Sequence, residues 1–391
     1  MDISIYFEPV ADSLFESIYT GIHPRIGQIM SVYHEGSAFP DLQGMQIALL
    51  GVNDDRGAVN NAGCSDAANE VRRFLYQLFP GAWNAGVADL GNIRKGHSAD
   101  DTYFALTSAL ESLISNKVFP IVIGGGHDLT FAIYKAYSNL GQIVNLAVAD
   151  PMFDLGETSD DLNSNTYLSR IIMQRPNFLF NYTNIGYQTY FVDQPAIDLM
   201  KKLLFDIYRL GMLHNDLQHT EPLVRNADVL SFDMGAIRAA DAPGNANSTP
   251  NGFSGDEACQ IVRYAAMSDK LSTIGFFEMN PIFDRNGVTA HLLAQMIWYA
   301  IDGFNNRKND FPASDNDSFI RYIVPTKDFT DGIVFIKSRK TDRWWMEIVC
   351  GPENRQKYLN HYIVPCTYND YQTACDNDLP DRWWQMYQKL M

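Results

Sequence analysis

Two apolar runs joined through a helical segment constrain this chain more than any other feature. They lie between Phe119 and Gly156. The run 121–123 ends in Gly124-Gly125-Gly126, His127 and Asp128 follow at once, and a helical pattern begins at Leu129. A second run, 143–148, ends at Asp150 and Asp154. Strands that are apolar along their whole length are covered on both faces, as parallel strands are. Parallel neighbours need a crossover, and a helix supplies it. The stretch therefore predicts a βαβ unit. Its polar residues leave the carboxyl ends of neighbouring strands, where open α/β sheets build their sites.

The same alternation continues on both sides. Residues 45–52 read as a strand that ends in a polar turn, 53–57. A helix is expected over 67–79, with Ser65 or Asp66 as its cap, then a short strand at 86–90 and a helix at 100–115. Residues 157–166 read as polar loop, 167–173 as helix, 178–185 and 189–192 as extended, and 195–213 as one helix. A strand at 227–234 carries Asp233, and the long loop 235–255 is of a length more often functional than idle. Helix 257–271, strand 273–277 ending before Glu278, and helix 289–301 complete the series. Strands and helices in alternation predict an α/β fold with a mainly parallel sheet.

The pattern changes near Asn305. Residues 308–318 read as a linker or long surface loop, and 319–323, 332–337 and 344–349 alternate like strands. The expected organisation is an N-terminal segment (1–44), an α/β domain (45–303) and a small, aromatic-rich β appendage (304–391) packed on it. Asp-Arg-Trp-Trp occurs at 342–345 and again at 381–384, in different predicted contexts, so no domain repeat is inferred. Its tryptophans are expected to pack the appendage onto the body.

Charge narrows the partners. A net charge of -16 and a pI near 4.8 repel phosphate backbones and anionic membranes, so neither nucleic acid nor membrane is expected as a partner. No apolar run is long enough to span a bilayer. The early acids and missing basic n-region give no expectation of a signal peptide. Five scattered cysteines without a CxxC point to a reducing, cytoplasmic compartment and away from zinc on thiolates.

Four strand ends deliver His127, then Asp150 with Asp154, then Asp233, then Glu278. Asp150, Met152 and Asp154 are spaced by two, so extended backbone would point them the same way. One histidine and three aspartates suit a hard to borderline divalent metal such as Mn²⁺. Each residue alone also has a plainer reading. Strand-end aspartates often cap the next helix, and Asp128 reads equally as a cap or an active residue. Glu278 reads as a salt-bridge partner or as a substrate contact. The glycine turn lacks GxGxxG spacing and a Walker lysine, so it is not expected to bind a nucleotide.

In this order the residues resemble the arginase–agmatinase–formiminoglutamase superfamily. Gly124-Gly125-Gly126-His127-Asp128 resembles its GGxH motif, in the form nearest to formiminoglutamases. Asp150-Pro151-Met152-Phe153-Asp154 sits where the family has D-A-H-x-D, and Ser231-Phe232-Asp233-Met234-Gly235 where it has S-x-D-x-D. Glu278-Met279-Asn280-Pro281 with Asp284, Thr289 and Ala290 resembles E-x-N-P…D…TA, and Asn60-Asn61-Ala62-Gly63 the early N-x-G segment. The resemblance spans 45–303. It implies a three-layer αβα sandwich and hydrolysis of linear amidines or guanidines at a pair of Mn²⁺ ions. It also implies that Glu278 meets the cationic group of a small-molecule substrate, with Asp128 a second catalytic candidate.

Two of the six implied ligand positions are changed, to Met152 and Gly235. A thioether does not suit Mn²⁺, and glycine has no side chain. The retained set, His127, Asp150, Asp154 and Asp233, is the set that holds one of the family's two metals. One Mn²⁺ or another divalent ion is therefore expected, with the second site absent. No histidine lies between His127 and His214 to serve as a proton shuttle. The expectation is a formiminoglutamase-like protein with weak or lost activity. The alternatives are an active single-metal C–N hydrolase and a non-catalytic binding or structural protein, each compatible with a homo-oligomer. Arg94, Lys95 and Arg238 are candidate cations to neutralise the acids.

Overall fold

The computed structural model describes all residues except 1, 17, 158–160, 313–316, 328, 330 and 360. Ten strands form one sheet: β1 (Phe7–Glu8), β2 (Ser31–Val32), β3 (Ile47–Val52), β4 (Val87–Ile93), β5 (Phe119–Ile123), β6 (Val144–Ala149), β7 (Leu179–Tyr187), β8 (Asp206–Arg209), β9 (Val229–Asp233) and β10 (Thr273–Phe277). The order is β1-β4-β3-β5-β10-β9-β6-β7-β8, with β2 also paired to β4. Every pairing is parallel except β1 on β4.

The apolar runs explain the layers. Side chains alternate across a strand, and here they alternate between two cores. Ile47, Leu49, Ile121 and Ile123 face one core, packed with helices Ala67–Leu75, Gly255–Ala266 and Val288–Asn305. Ala48, Leu50, Val52 and Val122 face the other, packed with helices Ala99–Ser115, Leu129–Asn139 and Tyr167–Met173. This is the three-layer αβα arrangement. The first 44 residues are not apart from it: β1 and β2 extend the sheet at its edge.

Two sequence readings change. The helix expected over 195–213 is helix Gln194–Lys202, then β8, then helix Leu210–Asn215. Leu204 takes a left-handed φ of +56°, which breaks the run, and the four residues of β8 are too short to show a period. Residues 189–192 form a turn, closed by the Phe191 N–H on Gln188 O (2.9 Å).

Beyond helix Val288–Asn305, four antiparallel strands form a second sheet: β11 (Phe319–Val324), β12 (Ile333–Ser338), β13 (Trp344–Glu347) and β14 (Ile363–Cys366). The two Asp-Arg-Trp-Trp copies differ as expected, the first leading into β13 and the second opening helix Asp381–Leu390. Trp345 and Trp383 are buried in this region's core. Arg225 of the α/β layer lies 4.5 Å over the Trp345 ring and donates to Trp344 O (3.1 Å), joining the two units. The expected linker 308–318 falls partly outside the described residues. Within it, Asp310 is buried and accepts from the Thr341 hydroxyl and from Arg343.

Candidate metal centre

The sheet order places β5, β10, β9 and β6 side by side. Their carboxyl ends deliver His127, Glu278, Asp233 and Asp150 in the same order. Gly124 (φ +98°) and Gly125 (φ +73°) turn the chain out of β5. A Cβ on Gly125 would stand 2.4 Å from Asp54 O, so only glycine fits there. The turn sets the His127 N–H on Glu278 Oε1 at 2.8 Å. Glu278 itself holds a left-handed φ of +67°, and its Oε2 accepts from Asn61 Nδ2 at 2.7 Å. Strained backbone of this kind clusters at functional sites.

His127 is the hub. Its Nδ1 lies 3.1 Å from Asp150 Oδ2, 3.3 Å from Asp154 Oδ2 and 4.0 Å from Asp233 Oδ2. Potential ligand atoms of His127, Asp150 and Asp233 all fall within 4.8 Å of one another. The far nitrogen, Nε2, stands 2.9 Å from Ser231 Oγ, which lies 2.6 Å from Thr130 Oγ1, and the Tyr167 ring packs on the imidazole at 4.7 Å. Such outer contacts fix ring orientation and tautomer in metal sites. Two of the aspartates anchor their other oxygen two residues on: Asp150 Oδ1 accepts from the Met152 N–H and Asp233 Oδ1 from the Gly235 N–H, both at 2.6 Å.

The electrostatics are those of anions crowded out of water. Burial, then Asp154, pushes Asp150 up to about 8. Burial, then Asp150, pushes Asp233 up to about 7, and burial also raises Asp154. Burial, then Asp233, lifts Glu278 to about 8. Burial opposes the His127 imidazolium, but Asp150 and Asp154 outweigh it and push its pKa well up. No other cation enters among the described residues. Arg94 bonds Phe7 O, Lys95 stands 3.6 Å from Asp55, and Arg238 pairs with Asp241 at 3.0 Å.

Asp128 faces elsewhere. Its Oδ2 accepts from the Tyr103 hydroxyl at 2.7 Å, it makes no cap bond to helix Leu129–Asn139, and burial raises it to about 6. Gly235 sits closely packed: a Cβ there would lie 3.1 Å from Asp233 Oδ1 and 3.3 Å from Asn245 Nδ2, so the neighbours would have to give by a few tenths of an ångström. The Met152 side chain lines a cavity of about 380 Å³ together with Asp154 and Phe191. Ser231 and Asn61 lie within the motifs, but nothing in the sequence marks their roles. Tyr167 opens the short helix Tyr167–Met173, and no local pattern sets it apart.

A model of the arginase family matches residues 45–302. The chain belongs to the arginase family. Among its relatives, a formimidoylglutamase of Photorhabdus laumondii is 25% identical over 269 residues, covering 64% of this chain and 84% of the relative. One of Streptococcus pyogenes is 27% identical over 313 residues, covering 73% and 92%. Two solved structures share the fold. Formimidoylglutamase from Bacillus subtilis has a TM-score of 0.66 at 19% identity, over 74% of this chain and 95% of that one. A Trypanosoma cruzi formiminoglutamase with Mn²⁺ has a TM-score of 0.65 at 19% identity, over 73% and 100%.

On the same side of this arginase-family sheet, where β7 and β8 end, lies a cavity of about 720 Å³. Its lining includes Arg209, Arg238 and His214 and no acid. Arg209 has no ion-pair partner among the described residues, whereas Arg238 pairs with Asp241 and His214 with Glu257. Gln188 links this wall to the cluster, since its N–H bonds the carbonyl of Pro151, next to Asp150 (2.9 Å). No helix among the described residues is long and apolar enough to cross a membrane.

Proposed function

We propose that this protein hydrolyses a C–N bond of a linear amidine bearing an acidic tail. One divalent cation, Mn²⁺ by the chemistry of the donors, would be held by His127, Asp150, Asp154 and Asp233. The reading rests chiefly on one observation. His127 Nδ1 and Asp150 Oδ2 are buried, close together, and without hydrogen bonds. Buried polar atoms in proteins are usually satisfied; other orphans occur in this chain, Tyr182 Oη and Asp128 Oδ1 among them, but a His–Asp₃ set whose free atoms converge fits a cation.

When bound, such a cation supplies a water of lowered pKa and neutralises charge developing on the substrate. The chain's own residues do the rest. Ser231 and Thr130 keep the His127 ring in place. Glu278, braced by the His127 N–H and by Asn61, sets a carboxylate near the cationic amidine. Arg209 and Arg238 offer charge to an acidic tail. Met152 and Gly235 leave a second cation without two of its ligands, so turnover is expected below that of a two-metal enzyme.

The test is metal analysis of protein purified without chelator, joined to turnover assays on formiminoglutamate, arginine, agmatine and guanidinobutyrate. One metal per chain with slow release from formiminoglutamate is expected. Absence of stoichiometric metal after Mn²⁺ or Zn²⁺ loading overturns the proposal. Met152, Gly235 and the missing shuttle histidine also favour a second reading, a binding protein on the same fold. Saturable substrate binding without turnover would select it.

A further inference from the structure

A groove of about 440 Å³ lies at the opposite end of the sheet, where β7 and β8 begin and the C-terminal region docks. Its walls carry the cations Arg175, Lys357 and Lys389 and the rings of Phe178, Phe180 and Tyr358, with no acid in the lining. In a chain of net charge -16, that is a local reversal of sign. Arg175 and Lys357 make no ion pair among the described residues; Arg175 donates only to the carbonyls of Ile172 (2.9 Å) and Gln174 (2.8 Å). The Lys389 ammonium donates to the neutral Asn181 Oδ1 at 2.5 Å and lies over the rings of Phe180 (5.6 Å) and Phe205 (5.1 Å). Asp206 is bonded to the other end of that amide, Asn181 Nδ2 (2.7 Å). Burial holds the Lys389 pKa down, to about 8, so an added anion would relieve it.

The ligand follows from charge and shape. Three cations outmatch a single carboxylate and suit a phosphate monoester, which carries about 1.5 to 2 negative charges at neutral pH. Arginine and lysine are the usual phosphate partners. Tyr358 stands tilted against Phe180 with centroids 5.0 Å apart, and the Lys357 ammonium lies 4.9 Å from its ring centre, so cation and aromatic wall meet there; flat bases stack on such rings. The volume lies in the range of small-molecule sites. We propose that this groove binds a mononucleotide, its phosphate among Arg175, Lys357 and Lys389 and its base against Tyr358 and Phe178. The site is distinct from the glycine turn after β5. It reaches the metal cluster through β7, which runs from the groove to Asn184, whose amide donates to Met152 O (2.8 Å) and Asp150 O (3.3 Å).

The full chain should be titrated calorimetrically with AMP, GMP, adenosine and inorganic phosphate, metal-free and metal-loaded. Saturable micromolar AMP binding is expected, with phosphate and adenosine each weaker. Arg175→Gln and Lys357→Gln lie on exposed side chains and should fold normally, checked by an unchanged Tm. Each should weaken AMP binding about tenfold. The proposal fails if no nucleotide saturates below millimolar concentration, if both variants bind AMP as before, or if phosphate alone binds as tightly as AMP. Because binding is read without metal, the outcome is independent of the hydrolase reading.

Discussion

His127 Nδ1 stands 3.1 Å from Asp150 Oδ2, yet neither atom makes a hydrogen bond to the other or to any group around it. Both side chains are only 1% exposed. In the metal-free chain a proton on the imidazole offsets the carboxylates, and a cation would take its place. With Nε2 engaged by Ser231, the arrangement is that of two ligands waiting on one ion.

Manganese titration of the metal-free chain should therefore saturate at one ion per chain. At a free concentration a hundredfold above Kd, the added stability should be about 2.7 kcal/mol. Asp233→Asn keeps the side-chain shape but removes one anionic ligand. It should weaken the ion at least about tenfold, in line with losses at metal-site residues. Calorimetry and elemental analysis read both effects, and unchanged affinity would separate Asp233 from the metal.

The second ion should be recoverable by design. Met152→His with Gly235→Asp restores both missing ligand types. A Cβ at 235 meets Asp233 Oδ1 at 3.1 Å, so a few tenths of an ångström of movement admits the new side chain. The double variant should bind two Mn²⁺ where the parent binds one, and turnover on formiminoglutamate should rise on the order of tenfold or more, since a second cation held by the two introduced side chains would lower the pKa of a bound water further. A stoichiometry that stays at one counts against the assignment of these two positions.

Much of this architecture was legible in the chain because fully apolar strands have few other fates. Strand 273–277 and helix 167–173 fall where the residues place them, and the strand ends carry His127, Asp150, Asp233 and Glu278 as expected. β8 was not legible: its four residues sit between two helical patterns, and only the left-handed turn at Leu204 separates them. Helix Asp381–Leu390 does bury Trp383, Met386 and Leu390 at helical spacing, but the mixed acids and aromatics of the tail mask that period. Asn61 and Ser231 act across 217 and 104 residues of sequence, which no local pattern reports.

The metal-free chain should lose stability as pH rises from about 5 to 8. Asp150 at about 8 and Asp233 at about 7 keep their protons when folded. Unfolded, they release them near the ordinary carboxylate value of about 4. The native state then binds more protons than the unfolded one, and stability falls with pH until the folded values are passed. His127, raised well above its ordinary value, adds the same sign. Metal binding must displace these protons, so its affinity should rise over the same range. Thermal melts at pH 5.5 and 8, with and without Mn²⁺, should show the larger metal-induced gain at pH 8.

Asn61→Ala should be costly although it touches no metal ligand. The Asn61 amide donates to both the carbonyl and Oε2 of Glu278, at 2.9 and 2.7 Å. Its Oδ1 accepts from the Ala246 N–H and from Asn280, each at 3.0 Å. Truncation leaves a buried carboxyl oxygen and the Ala246 N–H without these partners, while the Asn280 amide keeps the carbonyls of Asn61 and Ala62; a loss of about 2–3 kcal/mol is expected. Urea unfolding measures it, and a change under about 0.5 kcal/mol would mean that water or a neighbour replaces the amide.

Arg209→Gln and Arg238→Gln discriminate the substrate. If these guanidiniums meet an acidic tail, losing either should raise KM for formiminoglutamate about tenfold while kcat changes little, the mark of uniform binding lost. Agmatine, which has no carboxylate, should be unaffected. Arg238 also pairs with Asp241 at 3.0 Å on a partly exposed surface, where such a pair contributes little stability. Arg209 has no such competitor among the described residues, so its substitution should give the larger effect. Equal changes for formiminoglutamate and agmatine would place the tail elsewhere.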